Sequence, residues 1–369
     1  MKIALVTIHD STNYGAVLQA YATQTILSRF GEVTIINYDN KYLSQQMKLL
    51  RFECTSHGLL KFAHDLLRLP FRMKQLGKFN TFFNKRMFLS KRMSAALLFD
   101  GAAEEFDVYV CGSDQIWNPQ VVNEHGVIDD VYFLAFAPEG SKKISYASSI
   151  GHHQFIGGDK RIVANLLHDF SAISLREADG VTMISEILEE KNIKHVLDPT
   201  LLLSDSEWRE IVTVKNSDKV EKYILVYTVP RSDLMRRAIT YYKETLGIKV
   251  IGIDPMLKPI GPFDTHVRDA GPEDFVELFS NAEFVVTDSF HGVCFSVNFG
   301  KPFVLVSPGK RSNRMVSLFN LLGLNDRMVN SELEFERIKL SNADLVDAQA
   351  KLSFYRSQSL TFIEGGLGV

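Results

Sequence analysis

Cysteines are scarce in this sequence, and long apolar runs are absent. The three cysteines, Cys54, Cys111 and Cys294, are widely spaced and form no C-x-x-C pair, so neither a disulfide framework nor a cysteine-bound metal is predicted. No stretch of 18 apolar residues occurs, and the apolar start of the chain meets His9 and Asp10 too early for a secretory signal. We therefore expect a cytoplasmic protein with buried free thiols.

An excess of charge of one sign is also missing. The sequence has 41 basic and 44 acidic residues, a net charge of −3, which leaves no global positive field to hold a polyanion such as DNA. Short-period repeats and low-complexity tracts are absent too. A length of 369 residues with 46% hydrophobic residues instead suits two globular domains of roughly 150 to 200 residues each.

What the sequence does contain is a repeated order of apolar strand, polar loop and helix. KIALVTI, FDVYVCG and KKISYASSIG are strand-like, and after a polar interruption near residues 200–220 the pattern restarts with KYILVYTV, IKVIGI and EFVVTD. This alternation predicts α/β domains with parallel sheets and crossover helices. We predict an N-terminal domain over residues 1–205, a C-terminal domain over residues 206–340, and a helix over residues 341–369 that crosses back to the first domain.

Residues 66–99 form a basic segment without an acidic residue, within a helical insertion that we place at about residues 55–100 of the first domain. Its basic residues are Arg68, Arg72, Lys74, Lys78, Lys85, Arg86, Lys91 and Arg92, and its phenylalanines include Phe71, Phe79, Phe82, Phe83 and Phe88. The simpler interpretation is a helical hairpin with a solvated basic face and phenylalanines in the core. The alternative is peripheral contact with an anionic membrane, at its inner face, or with a lipid-phosphate-linked substrate.

Polar side chains cluster in the loops that follow the predicted strands, where open parallel sheets bind their ligands. In TDSFHG, between the strand EFVVTD and a helix, His291 would stand where the helix dipole favours an anion. Asp288 and Ser289 could contact the same ligand or simply cap the helix. The hexapeptide is therefore a candidate anion site.

Cations in two further loops predict that the anion is a phosphate or a carboxylate. The loop SPGKRSNR carries Lys310, Arg311 and Arg314, with Asn313 beside them. Arg176, at the end of the strand FSAISL, would face this cluster across a cleft between the domains, although it could instead pair with Glu177 at the surface.

A third set of loop residues predicts a sugar site in the first domain. Asn13 and Tyr14 begin a helix in HDSTNYG, and GSDQIWN offers Asp114, Gln115 and Trp117. Sugars bind polar groups through their hydroxyls and an aromatic plate through their C–H faces. Trp117 could equally be a packing anchor, and Asp114 could be a turn residue.

Six blocks, in this order, resemble the polysaccharide pyruvyl transferase family over nearly the whole chain. The blocks are NYGAVLQAYA, VCGSDQIWNP, ISYASSIG, SLREADGV, LDPTLLL and TDSFHGVCFSVNFGKPFV. The resemblance implies two Rossmann-like domains facing a cleft, as in GT-B glycosyltransferases, with the acceptor on the first domain and the donor on the second. It also implies transfer of pyruvate from phosphoenolpyruvate onto two hydroxyls of a sugar in a polysaccharide precursor, which gives a cyclic ketal and phosphate.

The resemblance also implies roles for single residues. Arg176 matches the family arginine that holds phosphoenolpyruvate, and His291 matches the histidine of an Arg-Leu-His block. Ser289 stands where that block has arginine, so Lys310, Arg311 or Arg314 could replace its charge. No cofactor and no metal are expected, and phosphoenolpyruvate is the donor substrate.

The expected chemistry needs cations, an acid and a base. His291 would protonate the methylene carbon of phosphoenolpyruvate or bind its phosphate, with Arg176 and Arg314 as anion clamps. Asp114 or Asp288 would take protons from the sugar hydroxyls. The competing hypotheses are a GT-B nucleotide-sugar glycosyltransferase and a non-catalytic protein that binds sugars or sugar phosphates.

Overall fold

The structure, a computed structural model, describes the chain with short gaps. The described ranges are residues 1–49, 56–189, 192–212, 221–309, 312–343 and 345–369, with backbone alone for residues 56–65. The chain divides into two compact units. The first comprises Met1–Met47, Phe83–Leu203 and Ser353–Val369, and the second comprises Lys48–Phe82 and Ser204–Leu352.

The first unit is built on a six-stranded parallel sheet in the part of the chain that the structure describes. Along residues 1–203 the elements are β1 (Lys2–Val6), α1 (Tyr14–Leu27), β2 (Glu32–Ile35), α2 (Lys41–Ser44), α3 (Ser56–Arg86), α4 (Ala95–Phe99), β3 (Val108–Cys111), α5 (Pro119–Val122), β4 (Lys142–Ser148), α6 (Gly158–Leu167), β5 (Phe170–Leu175), α7 (Ala178–Leu188) and β6 (Lys194–His195). The strand order is β2-β1-β3-β4-β5-β6, so the order reverses between β1 and β3. Ligands of open α/β sheets bind at the carboxyl ends of the strands beside such a reversal.

The second unit contains the second six-stranded parallel sheet of the described ranges. Along residues 204–369 the elements are α8 (Asp205–Glu210), β7 (Tyr223–Tyr227), α9 (Asp233–Leu246), β8 (Lys249–Ile253), β9 (Thr265–Val267), α10 (Pro272–Asn281), β10 (Phe284–Thr287), α11 (Phe290–Asn298), β11 (Phe303–Val306), α12 (Asn313–Leu322), β12 (Met328–Val329) and α13 (Leu345–Leu367), of which α13 is divided between the two units. The order is β12-β11-β10-β7-β8-β9, which is the Rossmann order with its reversal between β10 and β7.

Sequence patterns explain why the two sheets form. The strands VYVC, YILVY, FVVT and FVLV are buried along their whole length, as expected for parallel strands that are covered by helices on both faces. Ser232 and Gly247 cap the two ends of the amphipathic helix α9. The predicted fold class, two α/β domains with parallel sheets, is confirmed.

Two of the boundaries between the units fall within helices α3 and α13. The last residues of α13 pack on the first unit, where Ser359 Oγ accepts a hydrogen bond of 3.0 Å from Leu197 N, so the predicted return of the C-terminal helix is confirmed. The basic insertion was expected in the first domain, but residues 48–82 group with the second unit. There Lys78 forms an ion pair of 2.7 Å with Asp274, and Phe79 is fully buried. None of the described helices is long and apolar enough to cross a membrane.

Candidate functional site

Asp288 joins the two strands at the reversal point of the second sheet. Its Oδ2 accepts a hydrogen bond of 2.6 Å from Thr228 Oγ1, and its Oδ1 accepts one of 2.7 Å from Val229 N. Thr228 follows β7 directly and Asp288 follows β10 directly. The carboxylate therefore fixes the spacing of these two strand ends at the place where a ligand of this sheet is expected.

Burial changes the acidity of Asp288. The residue is only 3% exposed, and desolvation raises its pKa to about 6, although the hydrogen bonds from Thr228 and Val229 act in the opposite direction. A carboxyl group with such a pKa is present in both protonation states near neutral pH. It can therefore accept a proton and return it during a reaction.

The turn after β10 is built for a close approach of helix α11. Thr287 Oγ1 accepts a hydrogen bond of 3.1 Å from Ser289 N and donates one of 2.7 Å to Tyr227 O. Ser289 is the N-cap of α11, and its Oγ accepts a hydrogen bond from Gly292 N. A Cβ atom at Gly292 would collide with Thr287 Oγ1, so this helical position requires glycine. Ser289 thus has the structural role of a helix cap in addition to any contact with a ligand.

His291 and Arg314 meet at one aromatic ring. His291 is 6% exposed, and its ring centroid lies 5.2 Å from that of Phe290. The guanidinium carbon of Arg314, in α12, lies 5.4 Å from the same Phe290 centroid. Asn313, half-buried, is the first residue of α12, whereas Lys310 and Arg311 lie outside the described residues. The structure therefore places His291 and Arg314 each beside Phe290, the first residue of the helix that follows Asp288 and Ser289.

In the first unit, Arg176 is the centre of a buried ion-pair network. Its Nη2 donates to Asp114 Oδ1 and its Nη1 donates to Asp198 Oδ2, both at 2.7 Å. Its side chain has no exposed surface. Burial alone lowers the pKa of Arg176, but the carboxylates of Asp114, Asp198 and Glu177 outweigh burial and raise it. The expected anion clamp is corrected here, because both terminal nitrogens already bind carboxylates of this chain.

The other carboxylates of the network tie strand ends together. Asp198 also accepts hydrogen bonds from Ser113 Oγ at 3.2 Å and from Thr200 N at 3.0 Å. Glu177 Oε1 accepts from Ile150 N at 2.7 Å in the loop after β4. Asp114 itself has a φ of 66°, in the left-handed region, and is 7% exposed. Local backbone strain of this kind is often found at functional sites.

The residues predicted to bind a sugar differ in how exposed they are. Asn13 is exposed and caps α1 by accepting a hydrogen bond of 3.0 Å from Gly15 N, and Tyr14 is buried. Gln115 is half-buried and accepts a hydrogen bond from Asn118 Nδ2 at 3.2 Å. Trp117 is 1% exposed, so it is a core residue and not the predicted plate for a sugar ring.

Aromatic packing explains the burial of Trp117. Its ring stacks on Phe133 at 5.2 Å, and its Nε1 donates to Tyr132 O at 3.1 Å. Inside the core of the first unit, the indole therefore packs its apolar surface against an aromatic ring and hydrogen-bonds its single polar atom.

A comparison with family models assigns the chain. The model of the family described as polysaccharide pyruvyl transferase matches residues 13–310, which include Asp114, Arg176, Asp288 and His291, whereas Asn313 and Arg314 follow the matched range. The chain belongs to this family. No curated protein matches its sequence significantly. Family membership makes pyruvyl transfer in polysaccharide synthesis the general activity of the chain.

Solved structures give weaker similarities to this pyruvyl transferase family member. A UDP-GlcNAc 2-epimerase from Neisseria meningitidis, bound to UDP-GlcNAc, has a TM-score of 0.47 at 11% identity, covering 97% of this chain and 94% of that one. AviGT4, a glycosyltransferase of avilamycin A biosynthesis, has a TM-score of 0.46 at 11% identity, covering 100% and 99%. An α-glucosyltransferase in complex with UDP and DNA has a TM-score of 0.48 at 10% identity, covering 99% and 95%. The fold assignment therefore depends on the strand orders of this chain itself.

Sequence analysis of this family member missed Asp198 and Thr228 as site residues. Asp198 follows β6 by three positions and precedes Pro199, and Thr228 follows β7 directly. Both obey the rule that ligand-site residues follow parallel strands, which was the available signal. Each also resembles an ordinary turn residue, so only its contacts distinguish it.

Proposed function

We propose that this chain transfers pyruvate from phosphoenolpyruvate to two hydroxyls of a sugar in a polysaccharide precursor, forming a cyclic ketal and releasing phosphate. The observation that carries the proposal is the family match over residues 13–310. Supporting it, Asp288 and His291 follow β10 at the reversal point of the second sheet, and the cationic side chain of Arg314 lies beside Phe290.

The proposed reaction balances without a redox partner. One sugar hydroxyl adds to the central carbon of phosphoenolpyruvate while the methylene carbon gains a proton and becomes a methyl group. The C–O bond to phosphate then breaks, and the second hydroxyl forms the second C–O bond of the ketal. The two hydroxyl protons are matched by one proton on the methyl group and one on the released phosphate.

In this proposal the second unit binds the donor. His291 is the acid that protonates the methylene carbon or a ligand of the phosphate, and Arg314, beside the same Phe290 ring, supplies positive charge. Asp288, with its pKa of about 6, exchanges a proton with the reacting groups. Ser289, the N-cap of α11, and Asn313, the first residue of α12, are proposed donor contacts. Lys310 and Arg311 remain proposed donor ligands from the sequence alone.

The first unit binds the acceptor, with Asp114 as a second candidate base. Arg176 acts through Asp114 and is a positioning residue, because its Nη2 donates to Asp114 while Asp198 holds its Nη1. Asn13, Tyr14 and Gln115 remain proposed acceptor contacts around the same strand ends.

The test is phosphate release from phosphoenolpyruvate, measured with and without a panel of sugars, nucleotide sugars and lipid-linked sugars. We expect acceptor-dependent release of phosphate and a product heavier by one pyruvate ketal. His291→Ala should abolish turnover while the circular dichroism spectrum and unfolding temperature stay near those of the wild type. UDP release from a UDP-sugar in place of phosphate release would favour a glycosyltransferase, and full activity of His291→Ala would remove this residue from the mechanism.

A further inference from the structure

Helix α3 presents apolar side chains to solvent along one face. Leu66 is 52% exposed, Leu67 68% and Met73 56%, and Pro70 is also exposed. Leu66, Pro70 and Met73 are spaced by four and three residues, so they lie on the same face of the helix. A contiguous group of exposed apolar side chains indicates a surface that binds a partner, whereas single scattered ones are common on any protein.

The opposite face of α3 is already packed. Gln75, Leu76, Phe79 and Phe82 are buried, between 0% and 6% exposed. The ring of Phe71 lies 4.1 Å from the guanidinium carbon of Arg268. Three of the five phenylalanines named in the basic segment are buried, namely Phe79, Phe82 and Phe83. A fourth, Phe71, contacts Arg268. Phe71 keeps 38% of its surface exposed, but Leu66, Leu67 and Met73 are the more exposed apolar side chains of this helix segment.

Charge along the same segment has one sign. Residues 66–82 contain Arg68, Arg72, Lys74 and Lys78 and no acidic residue. Lys78 is neutralised by Asp274, whereas Lys74 is exposed one position after Met73. Exposed apolar side chains beside lysines are the composition of helices that lie in the headgroup region of anionic membranes.

We propose that the face of α3 formed by Leu66, Leu67, Pro70, Met73 and Lys74 docks this protein on an anionic lipid bilayer. The apolar side chains enter the boundary between headgroups and acyl chains, and Lys74 stays at the level of the lipid phosphates. A second copy of the chain fits this face less well, because self-pairing across a two-fold axis would bring the same basic segments together. This inference is independent of the proposed reaction.

The test is sedimentation of the full chain with vesicles in the absence of any substrate. Vesicles of phosphatidylcholine mixed with phosphatidylglycerol should carry the protein down, whereas pure phosphatidylcholine vesicles should do so weakly, and added salt should reduce the binding. Leu67→Glu and Lys74→Glu should each weaken binding by about tenfold or more, since each opposes an apolar or an electrostatic contact with the bilayer.

Matched controls are available in the same unit. Leu333 is 94% exposed and Lys258 is exposed, and neither belongs to α3, so Leu333→Glu and Lys258→Glu make the same chemical changes outside the proposed face and should bind like the wild type. Equal loss in these controls, or no binding by the wild type, would overturn the proposal. A dimer in light scattering that Leu67→Glu dissociates would assign the face to a second copy instead.

Discussion

At the scale of single residues, the partners of two buried charged groups determine the chemistry of each group. Asp288 and Arg176 are both almost fully buried, but they respond in opposite ways. Within the described ranges the hydrogen-bond donors to the Asp288 side chain, Thr228 and Val229 N, are neutral, and burial raises the pKa of Asp288 to about 6. Arg176 has carboxylate partners, which keep it charged. The partners, more than the depth of burial, decide which group can exchange protons.

Asp288 makes stability depend on pH in a defined direction. Its folded-state pKa is about 6, above the ordinary value of 3.8, so the folded chain binds more protons than the unfolded chain between these values. The free energy of unfolding should therefore fall as pH rises from about 3 to about 7, by about 3 kcal/mol from this group. Asp288→Asn should remove this fall, as measured by urea unfolding across that range.

The control for this prediction is Asp264, whose pKa is shifted in the opposite direction. Hydrogen bonds from Lys243 and Val250 N lower the pKa of the exposed Asp264, so its contribution to stability is lost as pH falls. Asp264→Asn should therefore reduce stability at neutral pH and leave the Asp288 transition in place. An unchanged pH dependence in Asp288→Asn would show that this carboxylate is ionised throughout.

Arg176 should affect turnover more than donor binding. Lysine cannot bridge Asp114 and Asp198 with a planar fork, so Arg176→Lys should misplace Asp114. We expect kcat to fall about tenfold or more with the KM for phosphoenolpyruvate nearly unchanged. Asp198→Asn, which loosens the same guanidinium, should act in the same direction. A rise in the KM for phosphoenolpyruvate that exceeds the loss of kcat would instead indicate that Arg176 binds phosphoenolpyruvate directly.

At the scale of elements, helix α11 is placed by contacts at its first turn. The hydrogen bonds of Thr287, the cap by Ser289 and the close approach at Gly292 together determine where His291 stands. The apolar sequence of α11 fits this placement, since every one of its residues is buried. A small steric change at the turn should therefore move the helix as a unit.

Gly292→Ala tests this placement. The added methyl group meets Thr287 Oγ1 and lies 3.0 Å from Thr287 Cβ, so the variant should lose about 1 to 3 kcal/mol of stability. Gly77→Ala is the matched control, because Gly77 is also helical and a Cβ there meets no atom within 4 Å. That control should gain up to about 1 kcal/mol from helix propensity. Equal unfolding midpoints in denaturant for both variants would contradict the close approach.

At the scale of the whole molecule, each unit is assembled from separate stretches of the chain. The first unit needs the last residues, Ser353–Val369, and the second takes in Lys48–Phe82 from within the N-terminal half. Each unit nevertheless has its own parallel sheet and its own reversal of strand order. Both candidate clusters therefore occupy the position that this type of sheet provides for ligands.

The sequence by itself determined the α/β class, the restart of the pattern after about residue 200, the C-terminal helix and the strand-end motifs, because local periodicity and turn residues encode these features. Only the tertiary structure decided that Trp117 and Arg176 are buried, that residues 48–82 join the second unit, and that Leu66, Leu67 and Met73 stay exposed. The physical reason is that burial and ion pairing depend on residues distant in the chain. Ser113 and Asp198 lie 85 positions apart in the chain and still share one network with Asp114 and Arg176.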